Sequence, residues 1–304
     1  CDAERFDTEF FGMRPPEAIR TDPQHRLLLR IFALLCGWKT NNCSSSTKIT
    51  TAIAIGITAM EYALELSAVH SSGVADVFSV ASGSLNIAAG RVSYTFDLRG
   101  PAITVDTACS SSLVASNTAV RYVTYNVGWN RKASRASAAL GVNLTLSFEA
   151  TAACSAAGML SPSGRCKAFD ASADGYTRAE GCAGIILGES SSFSKRCMDR
   201  TPFIVIRSAA INQDGRSSSL TAPNGPAQTR VIIEAIAAAC IDDTYDIEKL
   251  STHGTGTVLG DPIEIGAAIS ALRDAHSADS NDHHIHIVET TLRMRPLTLE
   301  AFKT

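Results

Sequence analysis

Short apolar runs rich in β-branched residues alternate along this chain with segments of helical periodicity, and this alternation restricts the fold more than any single motif. The predicted strands are residues 50–57, 75–80, 136–146, 182–187 and 203–211. The predicted helices are residues 23–36, which would turn Leu27, Leu28, Ile31 and Leu35 inward, residues 85–94, and residues 228–240, which are apolar nearly all round and should be buried. Alternating strands and helices of this kind indicate a layered fold of the α/β class.

The composition is that of an ordinary globular protein. Of the 304 residues, 45% are hydrophobic and 19% are charged, which is enough to bury the core of one large domain or of two fused halves. The net charge of −3 gives no reason to expect nucleic acid or a membrane as a partner, and no apolar run is long enough to span a bilayer. The nine cysteines are an odd number without a CxxC pair, which argues against a disulfide framework and indicates a reducing, intracellular compartment, the cytoplasm.

Cys109 lies where a predicted strand meets a predicted helix. The extended apolar run Pro101-Ala-Ile-Thr-Val105 leads into a turn of small residues, and a helical pattern follows with Leu113, Val120, Val123 and Val127 on one face. Unpaired backbone N–H groups and the positive end of a helix dipole stabilise a thiolate in such a place. A thiolate is both a nucleophile and a leaving group, which suits acyl transfer between thioesters. The alternative is a buried structural cysteine, since free cysteine is among the most buried residue types.

A second motif surrounds His253, in the segment Thr252-His-Gly-Thr-Gly-Thr257 that precedes Gly260-Asp-Pro-Ile-Glu264. Residues 245–250 are a candidate strand, and Pro262 suits the first turn of a helix. The glycines allow the backbone to approach a ligand closely, and the hydroxyls of Thr255 and Thr257 can bond the amides of an extended ligand. The alternatives are a plain turn and a phosphate-binding loop; the latter is disfavoured because the P-loop spacing and its lysine are absent.

These two motifs, together with others in a fixed order, resemble the ketosynthase (β-ketoacyl synthase) domains of type I polyketide synthases. The resemblance extends from about Phe6 to about Leu272. Its further landmarks are Asp22-Pro-Gln-His-Arg26, Leu98-Arg-Gly-Pro101, Gly158-Met-Leu-Ser-Pro-Ser-Gly164, Asp174-Gly-Tyr-Thr-Arg-Ala-Glu180, Asn212-Gln-Asp-Gly215 and Thr221-Ala-Pro-Asn-Gly-Pro226. Each landmark alone is weak evidence of a relationship, but so many landmarks in the same order do not arise by chance.

The resemblance implies a thiolase-like fold of two similar halves in a layered α-β-α-β-α arrangement. Residues 1–175 would form the N-terminal half with the nucleophile, residues 176–272 part of the C-terminal half with the His motif, and residues 273–304 a divergent tail. The active site would lie where the halves meet. There Cys109 would carry the acyl group, His253 would polarise the enolate oxygen, and Thr255 and Thr257 would hold the pantetheine arm.

The implied reaction is a decarboxylative Claisen condensation of acyl and malonyl thioesters, in polyketide or fatty acid biosynthesis. No metal or cofactor would be bound, and the phosphopantetheine arm of an acyl carrier protein would deliver the substrates. The implied partners are that carrier protein, the acyl and malonyl thioesters, and a second copy of the chain in a homodimer, with no nucleic acid and no membrane.

The sequence also departs from the family pattern. The apolar strand ahead of Cys1 is absent, as are the Lys-Ser-Asn-Ile-Gly-His segment that carries a second catalytic His and a later Gly-Phe-Gly-rich segment. We therefore expect a domain that is incomplete at both ends. Two alternatives to the condensing enzyme stay open: a non-condensing acyl-transfer or binding domain that loads Cys109, and an inactive fragment. In the tail, His283, His284 and His286 are interpreted as a solvated segment and not as a metal site.

Three smaller expectations concern the remaining polar and sulfur-containing residues. We expect the thiols of Cys154, Cys166, Cys182 and Cys240 to lie in the core. Residues 174–180 are expected to form a turn with ion pairs that supports the site. Residues 221–226 are expected to form a rigid loop, because they contain two prolines and an Asn-Gly pair.

Overall fold

The chain divides by its internal contacts into two units, each formed by two segments. The computed structural model describes residues 3–37, 51–58, 61–62, 65, 81, 84–125, 136–188, 204–241, 247–274 and 302–303. The first unit comprises Cys1–Ala152 and Ala179–Thr201, and the second comprises Ala153–Arg178 and Pro202–Thr304. The predicted ranges 1–175, 176–272 and 273–304 refer to similar halves and a tail, not to packing units, and they stay a prediction.

The first unit contains a four-stranded sheet and its covering helices. In chain order the elements are α1 (Pro15–Arg20), α2 (Pro23–Leu35), β1 (Ala52–Ile57), α3 (Leu85–Thr95), β2 (Ala102–Val105), α4 (Ser111–Tyr125), β3 (Ala136–Asn143), α5 (Phe148–Ala156), whose last residues belong to the second unit, and β4 (Gly181–Gly188). The predicted elements at 23–36, 50–57, 85–94, 136–146 and 182–187 are thereby confirmed. The predicted strand at 75–80 lies outside the described residues.

The sheet has the strand order β2-β1-β3-β4, so β1 and β3 are central. Strand β1 pairs in parallel with both β2 and β3, whereas β3 and β4 are antiparallel. Every residue of β1 is buried. A parallel strand with helices on both faces reads as a continuous apolar run, which explains why the sequence of β1 lacks polar residues.

The two faces of β1 have side chains of different size, because successive residues of a strand point to opposite faces. Ile53 and Ile55 belong to the large core cluster that also contains residues of α2 and α3. Ala54 packs instead with small residues of α4 and β3. On this second face, a Cβ added to Gly56 would overlap the backbone of Ser111 and Ser112. The start of α4 therefore lies directly on the sheet, at a distance that only glycine permits.

This close approach decides which face of α4 is buried. Leu113, Val120 and Val123 are only half-buried, whereas Ala115 and Ala119 are buried against the sheet; Val127 lies outside the described residues. The face with the smallest residues packs inward because the helix sits so close to β1 and β3.

In α2 the prediction was correct for Leu27 and Leu28, which are buried, but Ile31 is partly buried and Leu35 is 38% exposed. Leu29 and Phe32 occupy the core in their place. Since Leu35 is the last residue of the helix, its position beyond the core accounts for the difference.

The second unit is built around a pair of helices. Its elements are the end of α5, β5 (Ile211–Asn212), α6 (Gly225–Ala238), α7 (Gly260–Asp274) and β6 (Phe302–Lys303). Val231, Ile232 and Ile236 of α6 pack against Ala271 and Leu272 of α7. Helix α6 buries one face only, because Glu234, Ala237 and Ala238 are exposed. The helix predicted at 228–240 is thus confirmed, but the expectation that it is buried is correct for one face only.

Two predicted strands of the second unit are almost absent from the part of them that the structure describes, residues 204–211 and 247–250. Residues 204–210 have no regular structure, Ile204 is 69% exposed, and only Ile211–Asn212 pairs, with Phe302–Lys303. Residues 247–250 form no strand beyond a single bridge residue, Leu250. An apolar run becomes a strand only when a neighbouring strand accepts its backbone hydrogen bonds, and these residues have almost no such neighbour among the described ones. None of the helices in the described ranges combines the length and apolar character needed to cross a bilayer.

Candidate active site

Cys109 lies in a five-residue turn between the end of β2 at Val105 and the start of α4 at Ser111. Its thiol is exposed and is not part of a disulfide. The alternative interpretation, that Cys109 is a buried structural cysteine, is therefore wrong. The first turn of α4 contains no acidic residue, so the positive end of its dipole favours the thiolate, whereas the Asp106 carboxylate earlier in the turn acts against it.

The turn is held by short hydrogen bonds between its own residues. The Ser111 hydroxyl donates to the Ala108 carbonyl at 2.6 Å and accepts from the Thr107 N–H at 2.8 Å. The Ala108 N–H donates to Asp106 Oδ1 at 3.1 Å. Ala108 itself has φ of 55°, in the left-handed region that residues with a Cβ rarely adopt. The backbone just before Cys109 is thus in a strained conformation that the surrounding bonds maintain.

His253 lies in the loop between Leu250 and α7, and its side chain is exposed. Gly254 and Gly256 have φ of 53° and 74°, which the loop requires and glycine provides at no steric cost. The Glu264 carboxylate accepts from the His253 N–H at 2.5 Å and from the Gly254 N–H at 3.0 Å. The backbone that carries the imidazole is therefore anchored to α7.

A second carboxylate of α7 holds the same loop. Asp261 is buried, and its oxygens accept from the Gly256 N–H at 3.1 and 3.2 Å and from the Phe169 N–H at 2.8 Å. Sequence reasoning quoted Asp261 and Glu264 as part of the motif but assigned them no role. The available signal was their place in the first turns of a helix after a glycine-rich loop, where carboxylates can accept backbone N–H groups.

The hydroxyls of Thr255 and Thr257 lie 3.1 Å apart. Thr257 Oγ1 also accepts from the Gly260 N–H at 3.2 Å, at the start of α7. One proton joins the two oxygens, so the pair has one further proton to donate to a ligand. The structural contact of Thr257 is thus observed, whereas the binding role of Thr255 and Thr257 stays a prediction.

The segment 158–176 lies beneath the His253 loop. The Gly175 N–H donates to the Gly256 carbonyl at 2.9 Å. A Cβ added to Gly256 would lie 2.8 Å from the backbone nitrogen of Lys167. Asp174 accepts from Ser161 at 2.7 Å and pairs with Lys167 at 2.5 Å. The predicted ion pair is confirmed at Asp174, but residues 174–180 do not form the predicted turn, and Tyr176 forms a β-bridge with Leu160. Asn224, in the predicted rigid loop, has its side chain at the N-cap of α6.

The other cysteines differ from the sequence expectation. Cys166 and Cys240 are exposed, whereas Cys154 and Cys182 are half-buried. The expectation of four core cysteines was wrong because Cys166 lies in the loop segment and Cys240 follows the end of α6. Burial raises the pKa of Cys182 to about 12, so that thiol stays protonated and unreactive at neutral pH.

The structure thus places Cys109 in the first unit and His253, Thr255 and Thr257 in the second. Their convergence on one site stays a prediction. His283, His284 and His286 lie outside the described residues, and so does the prediction of a solvated tail.

Comparison with known families identifies the class of protein. The model of the β-ketoacyl synthase N-terminal domain matches residues 1–192, and that of the β-ketoacyl synthase C-terminal domain matches residues 203–290. The chain therefore belongs to the β-ketoacyl synthase family. The second match passes beyond Leu272, where the resemblance was expected to end.

Relatives and solved structures narrow the class to the ketosynthase domains of polyketide synthases. The chain is 40% identical over 281 residues to a phenolphthiocerol/phthiocerol polyketide synthase polypeptide of Mycobacterium tuberculosis, covering 91% of this chain and 12% of that protein. It is 42% identical over 268 residues to another polypeptide of the same synthase, covering 88% and 17% respectively. The chain therefore spans only a small part of these curated relatives.

The solved structures confirm the thiolase-like fold. The ketosynthase from module 6 of the bacillaene synthase of Bacillus subtilis superimposes with a TM-score of 0.76 at 32% identity, covering 90% of this chain and 45% of that one. An oxazolomycin ketosynthase domain from Streptomyces albus gives a TM-score of 0.79 at 34% identity, covering 91% and 45%.

Proposed function

We propose that this chain acts as a ketosynthase: it accepts an acyl group on Cys109 and condenses it with a malonyl-type extender in polyketide biosynthesis. The observation that carries this proposal is the exposed thiol at the junction of β2 and α4, in a chain that matches both domains of the family. The alternative of a non-condensing acyl-transfer domain has no observation in its favour.

In the first step the Cys109 thiolate attacks the carbonyl of an acyl thioester on the phosphopantetheine arm of an acyl carrier protein. A new carbon–sulfur bond forms to Cys109, the bond to the pantetheine sulfur breaks, and the released thiolate takes up a proton. In the second step a malonyl thioester loses carbon dioxide, and its enolate attacks the acyl carbonyl. The β-ketoacyl product stays on the carrier, and Cys109 leaves as a thiolate.

His253 would donate a hydrogen bond to the developing enolate oxygen, and an aimed donor of this kind is typically worth about 3–4 kcal/mol of barrier. The bonds from its own N–H and that of Gly254 to Glu264 support this role, because they fix the backbone from which the ring extends. Thr255 and Thr257 would bind the pantetheine arm through the one proton that their contact leaves available.

The proposed partners are the acyl carrier protein, with its phosphopantetheine arm as substrate carrier, and a second copy of the chain. A homodimer is consistent with the position of β2 at the edge of its sheet, since an edge strand offers unpaired backbone groups. We place the activity in the cytoplasm, where thiols stay reduced, in accord with the six disulfide-free cysteines of the described residues. Polyketide rather than fatty acid biosynthesis follows the named relatives.

The test separates loading from condensation on one preparation. The protein is first incubated with an acyl thioester, and the acyl mass is located by peptide mass spectrometry. It then receives malonyl-loaded carrier protein, and the β-ketoacyl product is measured. We expect the acyl group on Cys109, no loading of Cys109→Ala, and slow loading of Cys109→Ser, because an alkoxide is much harder to form than a thiolate.

Cys240→Ala is the matched control, since Cys240 is also exposed but follows the end of α6 and belongs to neither of the two motifs. Its loading should equal that of the unchanged chain. Acylation at Cys240 or Cys166 with Cys109 unmodified would refute the proposed nucleophile. Loading of Cys109 without any β-ketoacyl product would refute condensation and favour the acyl-transfer domain.

A further inference from the structure

A hydroxyl at the end of β1 contacts the turn of Cys109 from outside. Thr58 directly follows Ile57, the last residue of β1. Its Oγ1 lies 3.1 Å from Asp106 Oδ1, 3.3 Å from the Ala108 carbonyl oxygen and 3.3 Å from Ser111 Oγ. These contacts join residues about fifty positions apart in the chain, so they connect the central strand to the turn.

Thr58 donates its hydroxyl proton in these contacts, because the Ser111 proton is already donated to the Ala108 carbonyl. The Ser111 hydroxyl donates its proton to the Ala108 carbonyl, which can only accept, and its oxygen accepts from the Thr107 N–H. The single Thr58 proton therefore has three acceptors: two belong to the turn, and the third is the hydroxyl oxygen of Ser111, the first residue of α4. The Asp106 carboxylate is the strongest of them because it is charged.

The turn needs such support because of its backbone conformation. The left-handed φ of Ala108 is disfavoured for a residue with a Cβ and persists only where the surrounding structure holds it. The Thr58 hydroxyl lies within hydrogen-bonding distance of two groups beside this residue: the Ala108 carbonyl, and the Asp106 carboxylate that accepts the Ala108 N–H. Cys109 follows Ala108 directly, so the direction of its thiol depends on the same bonds.

We propose that Thr58 is a positioning residue for Cys109: its hydroxyl fixes the turn of residues 106–108 and thereby keeps the thiol at the N-terminal end of α4. This inference rests on the proposed function, in which Cys109 is the nucleophile. Thr58 does not touch the reacting atoms; it acts through Asp106, Ala108 and Ser111.

The experiment measures the rate of Cys109 alkylation by iodoacetamide as a function of pH, followed by peptide mass spectrometry. In Thr58→Val the hydroxyl is replaced by a methyl group of similar size. We expect alkylation at pH 7 to slow by about threefold to tenfold, the usual worth of one hydrogen bond. The midpoint of the profile should move to higher pH, since a looser turn lets the thiol move away from the helix end that stabilises its thiolate.

Two variants make the comparison specific. Thr58→Ser keeps the hydroxyl and should restore the profile of the unchanged chain. Thr118→Val removes a hydroxyl from the middle of α4, where Thr118 donates to the Val114 carbonyl at 2.8 Å, and should leave the profile unchanged. If Thr58→Val does not fold, Thr58→Ala is compared with Thr58→Ser, because these two variants differ by one hydroxyl group.

Equal midpoints and rates in Thr58→Val and the unchanged chain, or in Thr58→Ala and Thr58→Ser, would overturn the proposal. An equal shift in Thr118→Val would overturn it as well, since the effect would then follow the loss of any hydroxyl near α4. Iodoacetamide needs no carrier protein and no thioester. A chain that accepts no acyl group but shows the expected shift would therefore refute the proposed function and support the role of Thr58.

Discussion

The turn that carries Cys109 and the loop that carries His253 are held in different ways. The Cys109 turn depends on the hydroxyl groups of Thr58 and Ser111, on one carboxylate of its own, that of Asp106, and on the direct packing of α4 against β1. The His253 loop depends on two carboxylates of α7, each of which accepts N–H groups from two residues. Hydrogen bonds to a charged group are about twice as strong as neutral ones, so they can hold a loop rich in glycine. We therefore expect the turn to be sensitive to side-chain volume and the loop to be sensitive to charge.

The largest expected effect is a difference in alkylation rate between two thiols of the first unit, those of Cys109 and Cys182. Cys109 is exposed at a helix N-terminus, whereas burial raises the pKa of Cys182 to about 12. At pH 8 only about one Cys182 thiol in ten thousand is ionised, so alkylation of Cys109 should be about a thousandfold faster. Time-resolved labelling with peptide mass spectrometry measures both rates. Comparable rates at the two positions would show that burial does not suppress the Cys182 thiolate.

The next effect tests the sensitivity of the turn to volume. Gly56→Ala should destabilise the first unit by about 3 kcal/mol, because the added methyl group overlaps the backbone of Ser111 and Ser112, which cannot give way cheaply. Urea unfolding followed by circular dichroism, with hydrogen exchange of residues 111–125, gives the loss and its location.

Gly90→Ala is the matched control for that substitution, since a Cβ there meets nothing within 4 Å in the middle of α3. This variant should be unchanged or slightly more stable, as alanine favours helix. A Gly56→Ala variant as stable as Gly90→Ala would contradict the close contact of α4 with β1.

An acid titration probes the first unit through His25, which is buried in α2 with neither ring nitrogen hydrogen-bonded. Burial, together with the charge of Arg91, lowers the pKa of His25 from 6.5 to about 3. Below pH 6.5 the unfolded chain binds a proton that the folded chain does not, so stability falls as the pH falls, by about 1.4 kcal/mol per pH unit for this group. Between pH 6.5 and pH 5 the loss should be about 2 kcal/mol.

His25→Gln removes this titration and should flatten the dependence of unfolding free energy on pH over that range. Urea midpoints at pH 7, 6 and 5 for both proteins measure the difference between them. Parallel curves would mean that His25 does not contribute to the acid sensitivity.

The smallest effect tests the sensitivity of the loop to charge. Asp261→Asn keeps an acceptor oxygen but loses the negative charge, so the bonds from Gly256 and Phe169 should weaken by about 1 kcal/mol. Hydrogen exchange of residues 252–260 should accelerate by about fivefold. Glu234→Gln, on the exposed side of α6, should change nothing; an equal acceleration in both variants would show that the loop does not depend on the Asp261 charge.

The sequence predicted those elements whose pattern is local. The β-branched run of β1, the small-residue turn at Cys109 and the proline in the first turn of α7 all appear in the structure where the pattern placed them. The partners of these elements were harder to predict, because a hydrophobic period does not say how close a neighbour will lie. The shared face of Leu113, Val120 and Val123 does not reveal the buried face of α4 for this reason: Ala115 and Ala119 pack inward on the glycine-lined side of the sheet, and Leu113 does not.

Contacts between residues far apart in the sequence could not be predicted from the motifs either. The bond from the Phe169 N–H to Asp261 spans residues that belong to two separate sequence landmarks, and nothing in either landmark indicates the pairing. The predicted strand at 203–211 failed in the opposite way, since its composition suits a strand but the described residues supply a partner only for Ile211–Asn212. The site residues Cys109, His253, Thr255 and Thr257 were chosen from sequence, and their joint action stays a prediction.

Ser112 packs against two glycines, so the Cys109 turn can reach its final packing only late in synthesis. Gly56 of β1 and Gly141 of β3 both lie against Ser112, and they leave the ribosome respectively before and after the turn. The nascent turn can pack against β1 early, but its second contact, with Gly141 of β3, can form only after that residue has emerged. A peptide of residues 101–125 should therefore show the alkylation rate of an ordinary thiol, and a ribosome-bound chain should gain the faster rate only once β3 is outside the exit tunnel.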